Sequence, residues 1–179
     1  LHLAVQSGDD EIIRQMNRHY TAEQYLNLVK KIREKNPDLA IGTDIIVGFP
    51  GESEEAFQNT CKLYRAADFD ISYNAIYSDR SGTASQKMKN KIPFETKRRR
   101  WNELHAIMEE IVLKKNQKYL NQTVSVLVET KGNKYWEGRS SEQKLVKFPV
   151  KENEDYIGQI VNVKINKVEE WNLYGEIEK

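Results

Sequence analysis

The sequence predicts an α/β fold followed by a small all-β domain. Over about the first 90 residues, apolar β-branched runs alternate with helical periodicity. A long amphipathic pattern follows Pro93, and from Tyr119 onward only short strand-like runs remain. The change of pattern near residues 118–122 divides the chain into domains of 1–118 and 119–179. A length of 179 residues suits one domain and at most two.

The elements follow in order. Leu1 to Val5 reads as a strand under way, and an opening on extended residues rather than Met predicts a piece of a longer chain. Ser7-Gly8-Asp9-Asp10 supplies a cap and two acids for a short helix over Glu11–Arg18. Thr21 with Gln24 three residues on starts a second helix, with Tyr25, Leu28, Val29 and Ile32 on one face and Pro37 beyond its end. Leu39 to Phe49 is a nearly continuous apolar run, the pattern of a strand buried on both faces. Ser53-Glu54-Glu55 opens a third helix whose inner face carries Phe57, Cys61 and Tyr64, and Ile71 to Tyr77 is the next strand. This order argues for parallel βα units. After a polar loop comes the longest helical pattern, striped by Trp101, Leu104, Met108, Ile111 and Val112.

The remaining residues contain five short candidate strands: Thr123–Glu129, Tyr135–Arg139, Lys144–Phe148, Gln159–Val168 and Leu173–Glu178. Five strands with no helix between them predict a barrel of oligonucleotide-binding (OB-like) type.

Composition sets limits on function. Lys plus Arg total 28 against 27 acidic residues, a formal net charge of +1, so bulk charge gives no argument for nucleic-acid binding. No uncharged apolar run is long enough for a transmembrane helix, and no targeting signal is visible. The single cysteine, Cys61, excludes an internal disulfide framework and a metal site built from this chain's thiolates alone. A reducing, cytoplasmic setting is the expectation.

In a parallel βα array the working groups collect at the C-terminal ends of the strands. Three such ends stand out. Gln6-Ser7-Gly8 offers an amide, a hydroxyl and helix N–H groups. Gly48-Phe49-Pro50-Gly51-Glu52 is a glycine-bracketed turn that lets backbone approach a flat ligand. Tyr77 to Thr83 contains Arg80, a guanidinium for a carboxylate or phosphate. Each also has a purely structural reading: Ser7 as a helix cap, Gly48 and Gly51 as turn residues, Arg80 as a surface ion pair. Asp44, set among apolar residues, reads as a buried carboxylate in need of a partner, either a hydrogen-bonded structural acid or a group facing the barrel interior. His2 could line the same interior but reads first as a satisfied core histidine. Lys97-Arg98-Arg99-Arg100 is the densest basic cluster, either a solvated helix face or a phosphate-facing one. In the barrel, Lys131, Lys134, Arg139, Lys144, Lys147 and Lys151 gather with Tyr135, Trp136 and Phe148, a pattern that suits single-stranded RNA or a mixed-charge surface over core aromatics.

The strings His2 to Gly8 (HLAVQSG), Thr43 to Glu52 (TDIIVGFPGE) and Tyr77 to Ala84 (YSDRSGTA) resemble the radical S-adenosylmethionine methylthiotransferases, in the order and spacing of the later strands of that family's catalytic barrel. The last sixty or so residues look like the family's TRAM domain, and Gly138-Arg139 with Leu145 to Phe148 is closer to the tRNA-modifying MiaB type than to the RimO type acting on a ribosomal protein. Ala4, Asp9 and Asp79 depart from the residues the family usually has there.

The resemblance implies the C-terminal half of a radical SAM partial TIM barrel followed by a TRAM barrel. It implies conversion of a modified adenosine beside the tRNA anticodon to its 2-methylthio form. One iron–sulfur cluster would cleave S-adenosylmethionine to a 5′-deoxyadenosyl radical, and a second would supply or carry sulfur. Gln6, Ser7, Asp44, Gly48, Pro50, Gly51, Glu52 and Arg80 would line the cofactor pocket, while Lys134, Arg139, Lys144 and Lys147 would hold the anticodon stem-loop. The family's CxxxCxxC motif is not in this sequence, so the ligands of both [4Fe–4S] clusters would lie outside this chain, in a missing N-terminal half, and the fragment alone would be inactive. The alternatives are a ribosomal-protein methylthiotransferase and a non-catalytic RNA-binding module.

Overall fold

Two parallel strands organise the first part of the chain in a computed structural model that describes residues 1–150 and 154–178. β1 (Gly42–Val47) pairs with β2 (Ile71–Ile76) residue for residue, from Gly42↔Ile71 to Val47↔Ile76. Contacts divide the chain into two compact units, Leu1–Ile111 and Val112–Lys179. Lys151, counted above in the basic cluster, lies outside the described residues.

Burial alternates along β1: Thr43, Ile45 and Val47 are buried, whereas Asp44 and Ile46 are partly exposed. On β2, Ser72 is buried and Ile71, Tyr73 and Ala75 are exposed. The expectation of a strand buried on both faces is therefore corrected. Helices cover only the face that carries Thr43 and Ser72. Tyr64 of α3 (Glu54–Ala67) donates its hydroxyl to Ser72 Oγ at 3.0 Å, and the Trp101 indole of α4 (Phe94–Asn116) donates to Asn74 O at 2.7 Å.

Leu1–Gln6 runs parallel to β1 but does not form a continuous strand, a second correction. Two isolated bridges, His2↔Gly42 and Gln6↔Ile45, differ in offset by one residue. Between them the Val5 N–H leaves the ladder and donates to Thr43 Oγ1 at 3.0 Å. Such a slip is the one-residue excess of a bulge.

The first helix, α1 (Asp10–Gln15), is capped by Asp9, whose carboxylate accepts from the Glu11 and Ile12 N–H groups. It ends before Asn17, which takes a left-handed φ of 57°, so it is shorter than the run to Arg18 predicts. In α2 (Ala22–Lys35), Thr21 and Gln24 form the expected capping box. Its buried residues are Tyr25 and Val29, while Leu28 is 45% exposed, so the apolar face is narrower than the periodicity suggests. Ser53 caps α3, and Phe57, Cys61 and Tyr64 are buried as the pattern predicts.

The second unit holds a closed barrel of β3 (Thr123–Lys131), β4 (Tyr135–Ser140), β5 (Leu145–Pro149), β6 (Ile160–Val168) and β7 (Leu173–Ile177), in the order β3-β4-β5-β7-β6. All pairings are antiparallel except β5 with β7. Val126, Val128, Trp136, Val146, Phe148, Val163, Ile165 and Leu173 fill its core. Trp136 and Phe148 are thus core residues, and of the three aromatics grouped with the basic cluster only Tyr135 is exposed.

Candidate functional site

The turn after β1 is held from within. Gly48 takes φ 75° and Gly51 φ 88°, backbone that favours glycine. Glu52 folds back so that its carboxylate accepts the Gly48 N–H at 2.8 Å and an Arg100 guanidinium N–H at 2.7 Å. Arg100 also donates to the Glu52 carbonyl at 2.9 Å. Burial pushes the Glu52 carboxyl above its ordinary range, and the Gly48 N–H and Arg100 oppose that rise. Pro50 is buried and Gly51 exposed.

What approaches Gly48 is a lysine. A Cβ at Gly48 would lie 2.4 Å from Lys97 Cγ, so the space that a flat ligand was expected to use holds the Lys97 stem. Lys97 Nζ donates to Tyr77 O at 3.1 Å and sits 5.1 Å from the Tyr77 ring centre, which meets Phe49 edge-on. The phosphate-facing reading of Lys97 to Arg100 is corrected accordingly. Arg100 is buried against Glu52, and Arg99 pairs with Glu54 and Glu103. Arg98 remains exposed.

Ser7 is 1% exposed and lies 3.3 Å from the Thr60 hydroxyl, which also accepts the Gly8 N–H at 2.9 Å. α3 passes so close that a Cβ on Gly8 would lie 2.5 Å from Thr60 Cα. Ser7 does not cap α1; that role belongs to Asp9. Gln6 is 7% exposed and takes φ 66° as it leaves the bridge to Ile45.

The face of β1 and β2 away from the helices carries the open groups. His2 Nε2 and Asp44 Oδ2 are 3.0 Å apart with side chains 49% and 41% exposed. Asp44 is therefore no buried carboxylate and His2 no core histidine; the one-sided cover of β1 leaves both at the surface. Tyr73, 60% exposed, stands beside His2 with ring centres 6.0 Å apart. An imidazole–carboxylate pair on an open sheet face can hydrogen-bond a polar ligand and hold a proton at a ring nitrogen. Arg80 is exposed on the loop after β2, where Asp79 accepts from Tyr77 and pairs with Lys91.

The single thiol does not fit an iron–sulfur cluster. Cys61 is buried on α3, and burial pushes its thiol up to about 11. Among the described residues no three His, Cys, Asp or Glu side chains are grouped to hold a metal ion.

On the barrel, Lys134 is exposed in the turn before β4. Arg139 lies 3.5 Å from the Glu129 carboxylate and donates to Gln143 O. Lys147 pairs with Glu137 at 3.0 Å, which raises its pKa. Lys144 precedes β5 and is partly buried. Sequence reading overlooked Tyr174, which reaches this face because β5 and β7 pair side by side, and Lys167, which β6 sets opposite Tyr174. It saw Arg100 only as one of a basic cluster and missed its partners Glu52 and Glu54, which lie more than forty residues away. The alternation of β7 was the signal for Tyr174; nothing local signalled the other two.

Residues 1–64 match the radical SAM superfamily, and residues 117–177 match the TRAM domain. The chain is 48% identical over 179 residues to a tRNA-2-methylthio-N(6)-dimethylallyladenosine synthase of Caldicellulosiruptor saccharolyticus, covering 99% of this chain and 38% of that protein. Synthases of the same name from Geobacillus thermodenitrificans and Clostridium beijerinckii are 45% and 46% identical, with 99% and 100% of this chain aligned to 34% and 40% of theirs. The chain spans little more than a third of the length of these relatives.

Proposed function

The chain belongs to the radical SAM methylthiotransferase family, and from that premise we propose that the protein containing it is a tRNA methylthiotransferase. The reaction would convert a modified adenosine beside the anticodon to its 2-methylthio derivative. The supporting observation is identity of 43–48% along essentially the whole chain to synthases of that name, through both the radical SAM and TRAM segments. In this reading residues 1–118 are the later part of the radical SAM barrel with its closing helix, and residues 119–179 are the RNA-binding domain.

Bound S-adenosylmethionine would supply the radical chemistry, with two [4Fe–4S] clusters whose ligands lie outside this chain. The residues here divide the remaining work. Asp44 with His2, on the uncovered sheet face, accepts hydrogen bonds from hydroxyl or ammonium donors of the cofactor, and Gln6 bridges Ile45, the next residue along β1. Ser7, Gly48 and Glu52 shape the strand ends rather than present free polar groups, because Thr60, Lys97 and Arg100 already engage them. Pro50 and Gly51 complete the turn, with the Gly51 N–H given to Asn90 O. Arg80 is the exposed guanidinium for a carboxylate or phosphate. Lys134, Arg139, Lys144 and Lys147 contact the anticodon stem-loop. The setting is cytoplasmic, where tRNA is modified; no helix among the described residues is long and apolar enough to cross a membrane.

The test is nucleoside analysis by mass spectrometry. The full-length protein, with clusters reconstituted, is incubated with S-adenosylmethionine and tRNA lacking the methylthio group. A 2-methylthio-adenosine derivative in the digest is the expected result. Unmodified tRNA beside a modified ribosomal protein would favour the RimO-type alternative. Neither product, from protein that still binds tRNA, would favour a binding module.

A further inference from the structure

Tyr135 and Tyr174 are 39 positions apart in sequence and adjacent on the barrel wall. β4, β5 and β7 are neighbours, and Lys147 of β5 is in register with both Glu137 of β4 and Tyr174 of β7. Burial alternates along these strands. Trp136, Gly138, Val146, Phe148 and Leu173 are buried, and the intervening Tyr135, Glu137, Lys147 and Tyr174 face outward. The two tyrosine rings meet edge to face, with centres 5.8 Å apart and planes at 72°. In such a pair the ring that presents its edge keeps both faces clear of its partner. The barrel core is filled without them. Aromatic area held rigidly outside a core is what a nucleobase stacks on.

The charges around the pair suit a polyanion. Lys147 stands between the two tyrosine strands, and Lys167 Nζ lies 5.2 Å from the Tyr174 ring centre. Lys134 directly precedes Tyr135 and is exposed. Glu137 and Glu169 accompany Lys147 and Lys167 as ion-pair partners, which leaves three ammonium groups beside two carboxylates. The described stretch 131–150 carries five basic and two acidic residues.

We infer that Tyr135 and Tyr174 form a stacking platform for an unpaired base of single-stranded RNA, with Lys134, Lys147 and Lys167 holding the adjoining phosphates. The inference rests on the RNA-contact reading above and adds to it the residues that take the base. Stacking supplies affinity that persists at raised salt, while the lysines supply the part that salt removes.

The experiment uses the 179-residue chain and two fluorescein-labelled probes, a mixed-sequence single-stranded 12-mer and an anticodon stem-loop, followed by anisotropy at low salt and along a salt series. Tyr135→Ala and Tyr174→Ala are each expected to weaken binding about 5- to 100-fold without changing the salt slope. Tyr135→Phe and Tyr174→Phe, which keep the ring, should bind within about twofold of the parent. Both positions face outward, and far-UV circular dichroism checks that each variant is folded. If the parent binds RNA and the folded alanine variants bind equally well, the platform is wrong while RNA contact elsewhere on the barrel stands. Loss on Tyr→Phe equal to that on Tyr→Ala would assign the contact to the hydroxyl and overturn stacking. A parent chain that binds neither probe at low salt overturns the RNA reading and the platform together.

Discussion

The Arg100 guanidinium and the Glu52 carboxylate meet at 2.7 Å with side chains only 5% and 1% exposed. The same carboxylate holds the Gly48 N–H, so one buried pair ties the start of α4 to the turn that ends β1. Removing one partner of such a pair strands the other charge out of water. Arg100→Met is expected to lose about 3–5 kcal/mol in urea unfolding. Glu52→Gln should lose less, because its amide oxygen still accepts from Gly48. The double variant should cost less than the sum of the two, since neither charge is then left alone. Strict additivity would show that the two residues do not act as a pair.

Gly48 is constrained in two ways that substitution can separate. Its φ of 75° strains any other residue, and Lys97 Cγ occupies the place of a Cβ. Gly48→Ala is expected to destabilise the protein by about 1–3 kcal/mol. Adding Lys97→Ala removes the Cγ and Cδ contacts but leaves the residue-97 Cβ at 3.1 Å and the backbone strain, so thermal or urea unfolding should show partial recovery only. Full recovery would mean that neither the left-handed conformation nor the remaining Cβ contact carries a cost here.

The parts legible in the sequence are those fixed by neighbours along the chain. The barrel strands appear because Thr123-Val124-Ser125-Val126-Leu127-Val128 alternates with the pleat, and Thr21 with Gln24 announces α2 because a capping box closes within one turn. The run Leu39–Phe49 reports that a strand is apolar, not which side a helix will cover; the one-sided cover put Asp44 and His2 in the open. Their meeting depends on the bridge of His2 to Gly42, between segments forty residues apart, which no local pattern records. The glycines after β1 do mark a close approach, but the group that approaches is Lys97 from another element. A basic cluster likewise looks solvent-facing until distant acids fold onto it, as Glu52 and Glu54 do onto Arg99 and Arg100.

Tyr25 gives the first unit an alkaline limit. Its hydroxyl donates to Leu3 O, and burial pushes its pKa up to about 12. An unfolded tyrosine titrates near 10. Stability from this group is thus full below about pH 10 and is lost as pH rises through about 12, because the unfolded chain releases its proton first. The two-unit difference bounds the loss at about 2–3 kcal/mol. In urea titrations from pH 9 to 12, Tyr25→Phe should start less stable, having lost the hydrogen bond, and decline less steeply than the parent. Parallel declines would show that the buried hydroxyl is not what titrates.

The ion pairs on the barrel wall make a prediction about RNA that runs against simple charge removal. Lys147 is held by Glu137, and Arg139 lies beside Glu129, so each cation has to be shared with or released by a carboxylate before it binds phosphate. Lys134 has no ion pair among the described residues and contributes fully. Lys134→Gln should therefore weaken RNA binding and reduce the magnitude of the salt slope by about 0.7, the value for one phosphate contact on a single strand. Glu137→Gln should do the opposite. It frees Lys147 and removes a repelling carboxylate, so affinity at low salt rises and the slope steepens. The two variants change the net charge by one unit in opposite directions, and a nonspecific charge effect would move affinity at any surface position equally. Glu176→Gln, on the outward side of β7 and with no ion pair among the described residues, is the control for that. If Glu137→Gln and Glu176→Gln strengthen binding alike, the RNA senses the overall charge of the barrel and not the face formed by β4 and β5.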